Sequence, residues 1–309
     1  MSETVIEVLG LRKRYGDFTA VDGISFEVRT GEVFALLGTN GAGKTTTIEI
    51  LEGYLRPSGG TVRVFGEDPA GHRAPRARIG LVLQESGLFG DLSAAETVAA
   101  WSRFTTGARP VAEALELVGL SGQARTRVKR MSGGERRKLD IALATLGSPD
   151  LLFLDEPTTG LDPEARHRVR DLVRDLAAGG MTVLLTTHYL EEAQELAGRA
   201  AIMDKGRIVT QGTMAEVLGR GSGRVAFELP EDTALETAIE GLPVGEQDAL
   251  TVTGRRCVIV TAEPESVAHS VLGWAHARGV RLSGLDVRQA TLEEVFLDIA
   301  GAHGEEVRT

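Results

Sequence analysis

Residues 38–45 combine the residue types and the spacing of a loop that binds phosphate. They read G-x-x-x-x-G-K-T and lie between a continuous apolar run, residues 33–37, and a helical segment that extends to about Leu51. The glycines let successive backbone N–H groups turn inward, and the start of the helix adds a partial positive charge. Lys44 supplies a charge for the β- and γ-phosphates of a nucleotide, and the Thr45 hydroxyl is placed to bind Mg²⁺. The predicted phosphate-binding residues are Gly38, Thr39, Asn40, Gly41, Ala42, Gly43, Lys44, Thr45 and Thr46.

A second segment places two carboxylates directly after an apolar strand. Residues 151–154 are continuously apolar and are followed by Asp155 and Glu156. Ligands bind at the carboxyl ends of parallel strands, so Asp155 is placed to hold Mg²⁺ through water. Glu156 is placed to accept a proton from an attacking water, which is the role of a general base. A strand that merely ends in solvated charge is the alternative, and the complete phosphate loop argues against it.

Further motifs make the chain resemble the ABC ATPase family. Met131-Ser132-Gly133-Gly134-Glu135 is similar to the family's signature motif, L-S-G-G-Q, and lies between the two segments described above. Four more positions match family motifs, namely the Q-loop glutamine Gln84, the D-loop residue Asp162, the switch histidine His188 and the adenine-stacking aromatic Tyr15. The motifs cover residues 5–212, roughly two-thirds of the chain.

The resemblance implies ATP as the nucleotide, Mg²⁺ as its metal ion and a site shared by two subunits. Each ATP would be clamped between the glycine loop of one subunit and Ser132, Gly133 and Gly134 of the other, with Asp162 also at the nucleotide. Gln84 and His188 would join Glu156 in catalysis, and Gln84 would join Thr45 and Asp155 at Mg²⁺. A homodimer would hold two competent sites, and a permease on a separate chain would carry the cargo.

Two positions depart from the commonest signature motif, Met131 in place of leucine and Glu135 in place of glutamine. A carboxylate close to a triphosphate should weaken binding modestly if it points inward. We expect Glu135 to point outward.

The composition limits the class of protein. The net charge of −10 argues against a protein that coats nucleic acid, so we expect no nucleic acid partner. The single cysteine, Cys257, excludes an internal disulfide, and its apolar neighbours predict a small buried side chain. The N-terminus lacks the features of a signal peptide, and no apolar run approaches the roughly 18 residues that span a bilayer. We therefore expect a cytoplasmic chain that is peripheral on the membrane.

Residues 125–130 and 136–138 form a run rich in arginine and lysine. We interpret it as a solvated face beside the phosphate site, since the chain is acidic elsewhere. A nucleic-acid patch is the alternative.

The surrounding patterns predict the elements that hold these residues. Short apolar runs alternate with helical segments, which indicates a largely parallel sheet with helices on its faces. The first strands alternate like an antiparallel pair, and about residues 85–147 read as helical. Within that stretch, Ser93 and Glu96 have the spacing of a capping box that opens a helix. Further helices are predicted at residues 111–118, 163–178 and 191–197. With the resemblance, this predicts an α/β P-loop NTPase domain at residues 1–219, with a RecA-like core, an antiparallel β subdomain and a helical insert. Residues 220–309 are predicted to form a small α+β domain after a glycine-rich linker, with helices near residues 234–241, 264–278 and 292–300.

The C-terminal region and residues 187–193 resemble export ATPases of the ABC-2, daunorubicin-resistance kind. The resemblance implies an ATP-hydrolysing subunit that powers export of a drug, lipid or polysaccharide. The small domain would stabilise the dimer or the complex, and a regulatory small-molecule site there is the alternative. A soluble ABC-type ATPase acting on ribosomes or DNA is the rival function, and a small-molecule kinase is a third.

The insert near residues 86–101 resembles the surface on which ABC subunits receive the permease. Exposure of Leu88, Phe89 or Trp101 would support this interpretation, and their burial in the insert's own core is the alternative.

Overall fold

The structure is a computed structural model that describes residues 3–71, 75–84, 87–219, 221–231, 239, 241–245 and 248–297. Its contacts divide the chain into two compact units, Met1–Gly212 and Thr213–Thr309. The boundary predicted at residue 219 lies a few residues further along the chain.

The first unit opens with an antiparallel sheet. Strands β1 (Thr4–Tyr15) and β2 (Phe18–Arg29) form a hairpin, and a later strand, Gly59–Val64, pairs with the other edge of β1. Along β1 and β2, buried residues alternate with exposed ones, because one face of the sheet is buried and the other is exposed. The predicted antiparallel pair is confirmed, and the Gly59–Val64 strand is an addition.

A six-stranded sheet forms the centre of this unit. The Gly59–Val64 strand of the antiparallel sheet is β4. The members of the central sheet, in chain order, are β3 (Val33–Gly38), β5 (Ile79–Val82), β6 (Leu151–Asp155), β7 (Thr182–Thr186), β8 (Arg199–Asp204) and β9 (Arg207–Thr213). The spatial order is β5-β6-β7-β3-β8-β9, and each neighbouring pair from β5 to β8 is parallel. The carboxyl ends of β5, β6, β7 and β3 therefore meet at one edge, as the sequence predicts.

Helices connect these strands, with bounds close to the predicted ones. They are α1 (Lys44–Leu51), α2 (Ala94–Ser102), α3 (Val111–Leu117), α4 (Gly133–Ala144), α5 (Pro163–Ala178) and α6 (Leu190–Leu196). Between β5 and β6 the described residues form α2, α3, α4 and short 3-10 turns, and residues 85–86 of the predicted insert lie outside the described part. Ser93 caps α2 as predicted, since its side chain accepts from the N–H of Glu96.

One core joins the two sheets of the first unit. The strands β3 and β7 are buried along their whole length, which explains their continuous apolar sequences. The rings of Phe26 on β2 and Phe34 on β3 stack with centroids 5.4 Å apart, so the hairpin packs directly on the central sheet.

The second unit is a small α+β fold. After α7 (Met214–Leu218), four antiparallel strands, β10 (Gly223–Glu228), β11 (Ala249–Thr253), β12 (Arg256–Thr261) and β13 (Ser283–Arg288), form a sheet of order β11-β12-β10-β13. Helix α8 (Pro264–Ala277) packs on one face, over a core that includes Phe227 and Cys257. Cys257 is fully buried, as predicted, and burial raises the pKa of its thiol.

Two helices predicted for the second unit fall partly or wholly on residues that the structure does not describe. The helix predicted near residues 234–241 lies almost entirely outside the described residues. The last predicted helix, residues 292–300, is helical over 292–297, and its remaining residues lie outside the described part.

Candidate nucleotide-binding site

The glycine loop between β3 and α1 passes so close to its neighbours that two positions exclude a side chain. A Cβ at Gly38 would lie 2.5 Å from the carbonyl oxygen of Met203. At Gly43, where φ is +100°, a Cβ would lie 2.4 Å from the carbonyl oxygen of Ala20. Glycine is therefore required for the backbone itself to line the site.

Lys44 is buried at the centre of this loop. Its Nζ donates to the carbonyl oxygens of Gly38 and Thr39 at 2.7 and 3.1 Å. Burial lowers the pKa of the ammonium group, and the nearby carboxylates of Glu156 and Asp155 oppose that shift. The loop thus holds a cation ready for a phosphate.

Helix α1 begins without a side-chain cap. Its N-cap is Gly43, which has no side chain to accept a hydrogen bond, and its first turn holds no acidic residue. Its first N–H groups and the positive end of its dipole therefore face the loop, which suits a bound anion. Thr45 and Thr46 in this first turn line the adjoining cavity.

Glu156 follows β6 and gathers the other predicted catalytic residues. Its Oε2 accepts from Gln84 Nε2 at 3.1 Å and lies 3.3 Å from His188 Nδ1. Thr159, a residue that the sequence analysis missed, also donates its hydroxyl to Oε2 at 3.1 Å. The side chain is only 14% exposed. Three residues from three segments therefore fix one carboxylate oxygen.

Asp155 lies at the end of β6, one residue before Glu156. The hydroxyl of Thr186, at the end of β7, donates to Asp155 Oδ1 and orients the half-buried carboxylate. The carboxylate is therefore held at the same edge of the sheet as the loop.

An open cavity of about 670 Å³ joins these parts. Its lining combines the glycine loop with the catalytic cluster and one aromatic ring: Phe18, Ala20, Asn40, Gly41, Ala42, Gly43, Lys44, Thr45, Thr46, Gln84, Glu156, Thr159 and His188. Tyr15, the predicted adenine-stacking residue, lies opposite Phe18 in the hairpin and is 47% exposed, while Lys13 approaches its ring to 5.1 Å. Phe18, which is 63% exposed, is the aromatic residue that lines the cavity.

The signature residues lie apart from this cavity. Ser132 is the N-cap of α4, and neither it nor Gly133 or Gly134 lines the cavity among the described residues. A Cβ at Gly134 would lie 2.7 Å from Cβ of Ala165, so this glycine lets α4 approach α5 closely. Asp162 caps α5 by accepting from the N–H of Ala165 at 2.9 Å. The structure therefore separates the signature residues from the glycine loop of the same chain.

Glu135 does not point outward, so that prediction was wrong. Its carboxylate turns back and accepts from the backbone N–H of Ser132 at 2.8 Å, while the Ser132 hydroxyl accepts from the N–H of Glu135 at 3.2 Å. The pair forms a capping box, in which the positive end of the helix attracts the carboxylate.

Arg137 corrects the interpretation of the basic run as a solvated face. Arg136 is exposed, but Arg137 is only 6% exposed and binds backbone carbonyls at the ends of β5 and β6. Gly134 and Ile141, which are three and four residues away on the helix, are also buried. The helical period could therefore have identified Arg137 as inward-facing.

The helical insert exposes apolar side chains beside a second cavity. Phe89 is 63% exposed, and Leu88 and Trp101 are half-buried. Leu88, Trp101 and the 90% exposed Phe104 help to line an open cavity of about 590 Å³, which extends to β5 and α4. Within the described part of the chain, no helix is long and apolar enough to cross a membrane.

Comparison with protein families defines the class to which the chain belongs. Residues 21–159 match the family model described as ABC transporter, and residues 223–291 match a model for the C-terminal domain of ABC transporter domain-containing proteins. The chain belongs to the ATP-binding subunits of ABC transporters, which hydrolyse ATP to power transport.

Individual relatives are similar over nearly the whole chain. The daunorubicin resistance ATP-binding protein DrrA3 of Streptomyces coeruleorubidus is 41% identical over 97% of each chain. The Nod factor export ATP-binding protein I of Paraburkholderia xenovorans is 38% identical over 97% of this chain and 98% of its own. A solved structure of the ATP-binding subunit of an ABC transporter matches with a TM-score of 0.63 and 28% identity, over 70% of this chain and 93% of that one. The fold class predicted from the sequence is confirmed.

Proposed function

We propose that the chain powers export through a separate membrane permease, with two copies of the chain sharing two ATP sites. The observation that carries the chemistry is the convergence of Gln84, Thr159 and His188 on one oxygen of Glu156, in the cavity that the glycine loop lines. The names of the relatives favour export, whereas neither name favours the rival function on ribosomes or DNA.

Glu156 is the proposed general base. A water between its carboxylate and the γ-phosphate transfers a proton to Glu156 as its oxygen attacks phosphorus. The bond from the γ-phosphorus to the bridging oxygen breaks, which leaves ADP and inorganic phosphate. Gln84, Thr159 and His188 hold the carboxylate for this step, and Lys44 neutralises charge on the phosphates.

The donor set suits Mg²⁺, which prefers oxygen ligands. Thr45 and Gln84 line the cavity with a hydroxyl and an amide oxygen, and Asp155 offers a carboxylate held by Thr186 at the same edge of the sheet. These three residues would hold the ion, directly or through water. When bound, Mg²⁺ neutralises charge on the β- and γ-phosphates.

The second half of each ATP site comes from the partner chain in this proposal. Ser132, Gly133 and Gly134 start a helix whose positive end suits the γ-phosphate, and they are remote from this chain's own loop. Loss of the γ-phosphate after hydrolysis removes the charge that holds the two chains together, so that the dimer reopens.

The permease would bind at the apolar cavity of the helical insert. Leu83, Trp101 and Phe104 present a partly exposed apolar lining, which suits an amphipathic segment of the membrane protein. The chain would then be cytoplasmic and peripheral on the inner face of the membrane. The cargo would be a drug, a lipid or a polysaccharide, and the second unit would stabilise the assembly.

A Glu156→Gln variant tests both parts of the proposal. We expect turnover to fall by about 10²-fold or more while ATP binding remains, because the amide cannot accept the proton. A tagged Glu156→Gln chain, purified from its native membranes with ATP, should bring down a polytopic membrane protein. Lys44→Ala, which removes the phosphate-binding cation, is the control for nucleotide dependence.

Near-normal turnover of Glu156→Gln would contradict its role as the base. Recovery of ribosomal or DNA-bound proteins without a membrane protein would contradict the transport proposal and leave the ATPase chemistry intact.

A further inference from the structure

Arg137 is a buried cation with an unusual set of partners. It lies one turn after the signature residues in α4, and its side chain is almost completely enclosed. Its guanidinium donates four hydrogen bonds to backbone carbonyls, from Nη1 to Leu83 at 2.5 Å, from Nη2 to Asp155 at 2.9 Å and Glu156 at 3.1 Å, and from Nε to Pro157 at 2.7 Å. Four of its five N–H groups therefore donate to main-chain carbonyl oxygens.

The four carbonyls belong to the two segments that present the catalytic side chains. Leu83 immediately precedes Gln84, and the other three carbonyls lie at Glu156 and its two neighbours. One planar group thus fixes the distance between the backbone of Gln84 and that of Glu156. The side chains of these two residues are hydrogen-bonded to each other at 3.1 Å. This hydrogen bond forms only if the two backbone segments keep their present separation.

The conformation of Glu156 needs such support. Its φ is +45°, a left-handed conformation that residues with a Cβ seldom adopt. Its N–H donates to the carbonyl oxygen of Thr186 at 3.0 Å, which holds the segment from the side of β7. Arg137 holds the same segment from α4. The position of the base therefore depends on contacts from both sides.

Arg137 also lies next to two residues that line the apolar cavity of the helical insert. Its Nη1 is 4.0 Å from Oδ2 of Asp140, one turn further along α4. Asp140 and Leu83 both line that cavity. The same guanidinium therefore contacts two residues of the cavity lining, one of them on α4, and the main chain of Glu156.

We propose that Arg137 is a positioning residue for ATP hydrolysis, which makes the placement of Gln84 and Glu156 depend on the position of α4. A shift of α4, caused by the γ-phosphate on its signature end or by a partner in the insert cavity, moves the carbonyls at Glu156 with it. The proposal rests on the role of Glu156 as base. Arg137 itself contacts neither nucleotide nor water in this proposal, and it acts through the main chain.

Arg137→Lys is the decisive variant because it keeps the charge and the aliphatic stem. A lysine has one nitrogen in place of the planar fork and cannot hold both segments at a fixed separation. Misplacement by about 1 Å can cost up to 10²-fold in rate, and we expect kcat to fall by about 10-fold or more. The KM and the Kd for ATP should stay within about two-fold of the wild-type values, because the glycine loop is untouched.

Arg170→Lys is the matched control. Arg170 is also 6% exposed and lies in α5, where its Nη1 pairs with Oε2 of Glu195 at 2.9 Å. We expect this variant to lower Tm like Arg137→Lys but to keep the wild-type kcat. Arg137→Gln is a second test variant in case the lysine variant folds poorly.

If folded Arg137→Lys keeps a kcat within about two-fold of the wild-type value, the proposal is overturned. Loss of a residue that positions the catalytic groups should lower kcat. Equal losses of kcat and ATP affinity would also overturn it, because they indicate general loss of structure. Glu156→Gln in the same assay separates the two proposals. If that variant keeps its turnover, the base assignment fails; if it loses turnover while Arg137→Lys does not, only the positioning role fails.

Discussion

Two helices of the first unit begin where the proposed complex places a phosphate, but their first turns differ. Helix α1 starts after Gly43, with no side-chain cap and no acid in its first turn. Helix α4 starts with a capping box, in which Ser132 and Glu135 satisfy each other's backbone N–H groups. One N-terminus is open to an anion, and the other already holds its own carboxylate.

This difference explains how one chain can contribute to two ATP sites, with its glycine loop in one site and its signature residues in the other. The open end of α1 can bind ATP in a single chain, because its N–H groups are not already engaged by a side chain. At the capped end of α4, an anionic ligand meets the negative charge of Glu135, which already accepts from the N–H of Ser132. ATP should therefore bind first to the glycine loop and engage α4 of the partner afterwards.

The largest expected effect comes from mixing two inactive chains. Lys44→Ala disables both glycine loops of a homodimer, and Ser132→Arg disables both signature ends, so each variant alone should be inactive. A mixed dimer keeps one wild-type loop facing one wild-type Ser132 end. Random pairing should restore about a quarter of the wild-type amplitude in single-turnover hydrolysis, because half of the dimers carry one intact site of two.

If Ser132→Arg chains by themselves hydrolyse ATP at the wild-type rate, the α4 end has no part in the ATP site. The site would then need only one chain. A mixture that stays as inactive as its components would contradict the proposed exchange of signature ends.

A smaller effect should distinguish the two aromatic residues of the β1–β2 hairpin. Phe18 lines the cavity, whereas Tyr15 lies opposite it in the hairpin with Lys13 near its ring. Stacking of a base on an aromatic ring contributes about 1–3 kcal/mol, so Phe18→Ala should raise the Kd for ATP by about 10-fold. Tyr15→Ala should change it less. Fluorescence titration with ATP and inorganic triphosphate checks this, because only ATP has a base to stack.

A larger loss of ATP affinity in Tyr15→Ala than in Phe18→Ala would restore the prediction made from the sequence. Equal affinity for triphosphate in both variants and the wild type is the control for an intact glycine loop.

The sequence predicted those parts of the fold and site that have a strong local pattern. The glycine loop, the strand before Asp155 and the capped start of α2 are each confirmed within a residue or two. In each case, neighbouring residues alone determine the geometry, through glycine conformation, continuous apolar burial or a capping box.

The rest depends on contacts between distant segments, which a local pattern does not contain. Arg137 belongs to a run of basic residues, and only the packing of α4 on the strand ends makes it a buried cation. Thr159 joins the Glu156 cluster because the chain turns sharply after β6. Phe18 faces the cavity because of the register of the β1–β2 hairpin. The side chain of Glu135 turns back for the same local reason as that of Glu96, since each lies three residues after the serine that caps its helix, and this spacing is present in the sequence.

The smallest expected effect addresses the carboxylate on α4 directly. Glu135→Gln keeps an acceptor for the N–H of Ser132 and removes one negative charge from the end that receives the γ-phosphate. Two unit charges about 4 Å apart interact by about 1 kcal/mol in water, so ATP-dependent dimerisation should tighten by about 5-fold for each of the two sites. Analytical ultracentrifugation of the Glu156→Gln chain, with and without Glu135→Gln, measures this change.

Glu96→Gln is the matched control, because Glu96 forms the same box with Ser93 at the start of α2 and accepts from its N–H at 2.8 Å. It should alter stability as Glu135→Gln does and leave dimerisation unchanged. The gain at Glu135 should also shrink as salt rises, since screening weakens the repulsion that the substitution removes. If Glu135→Gln leaves dimerisation unchanged or weakens it, the carboxylate does not compete with the γ-phosphate, and the two helix ends differ in structure without differing in their affinity for an anion.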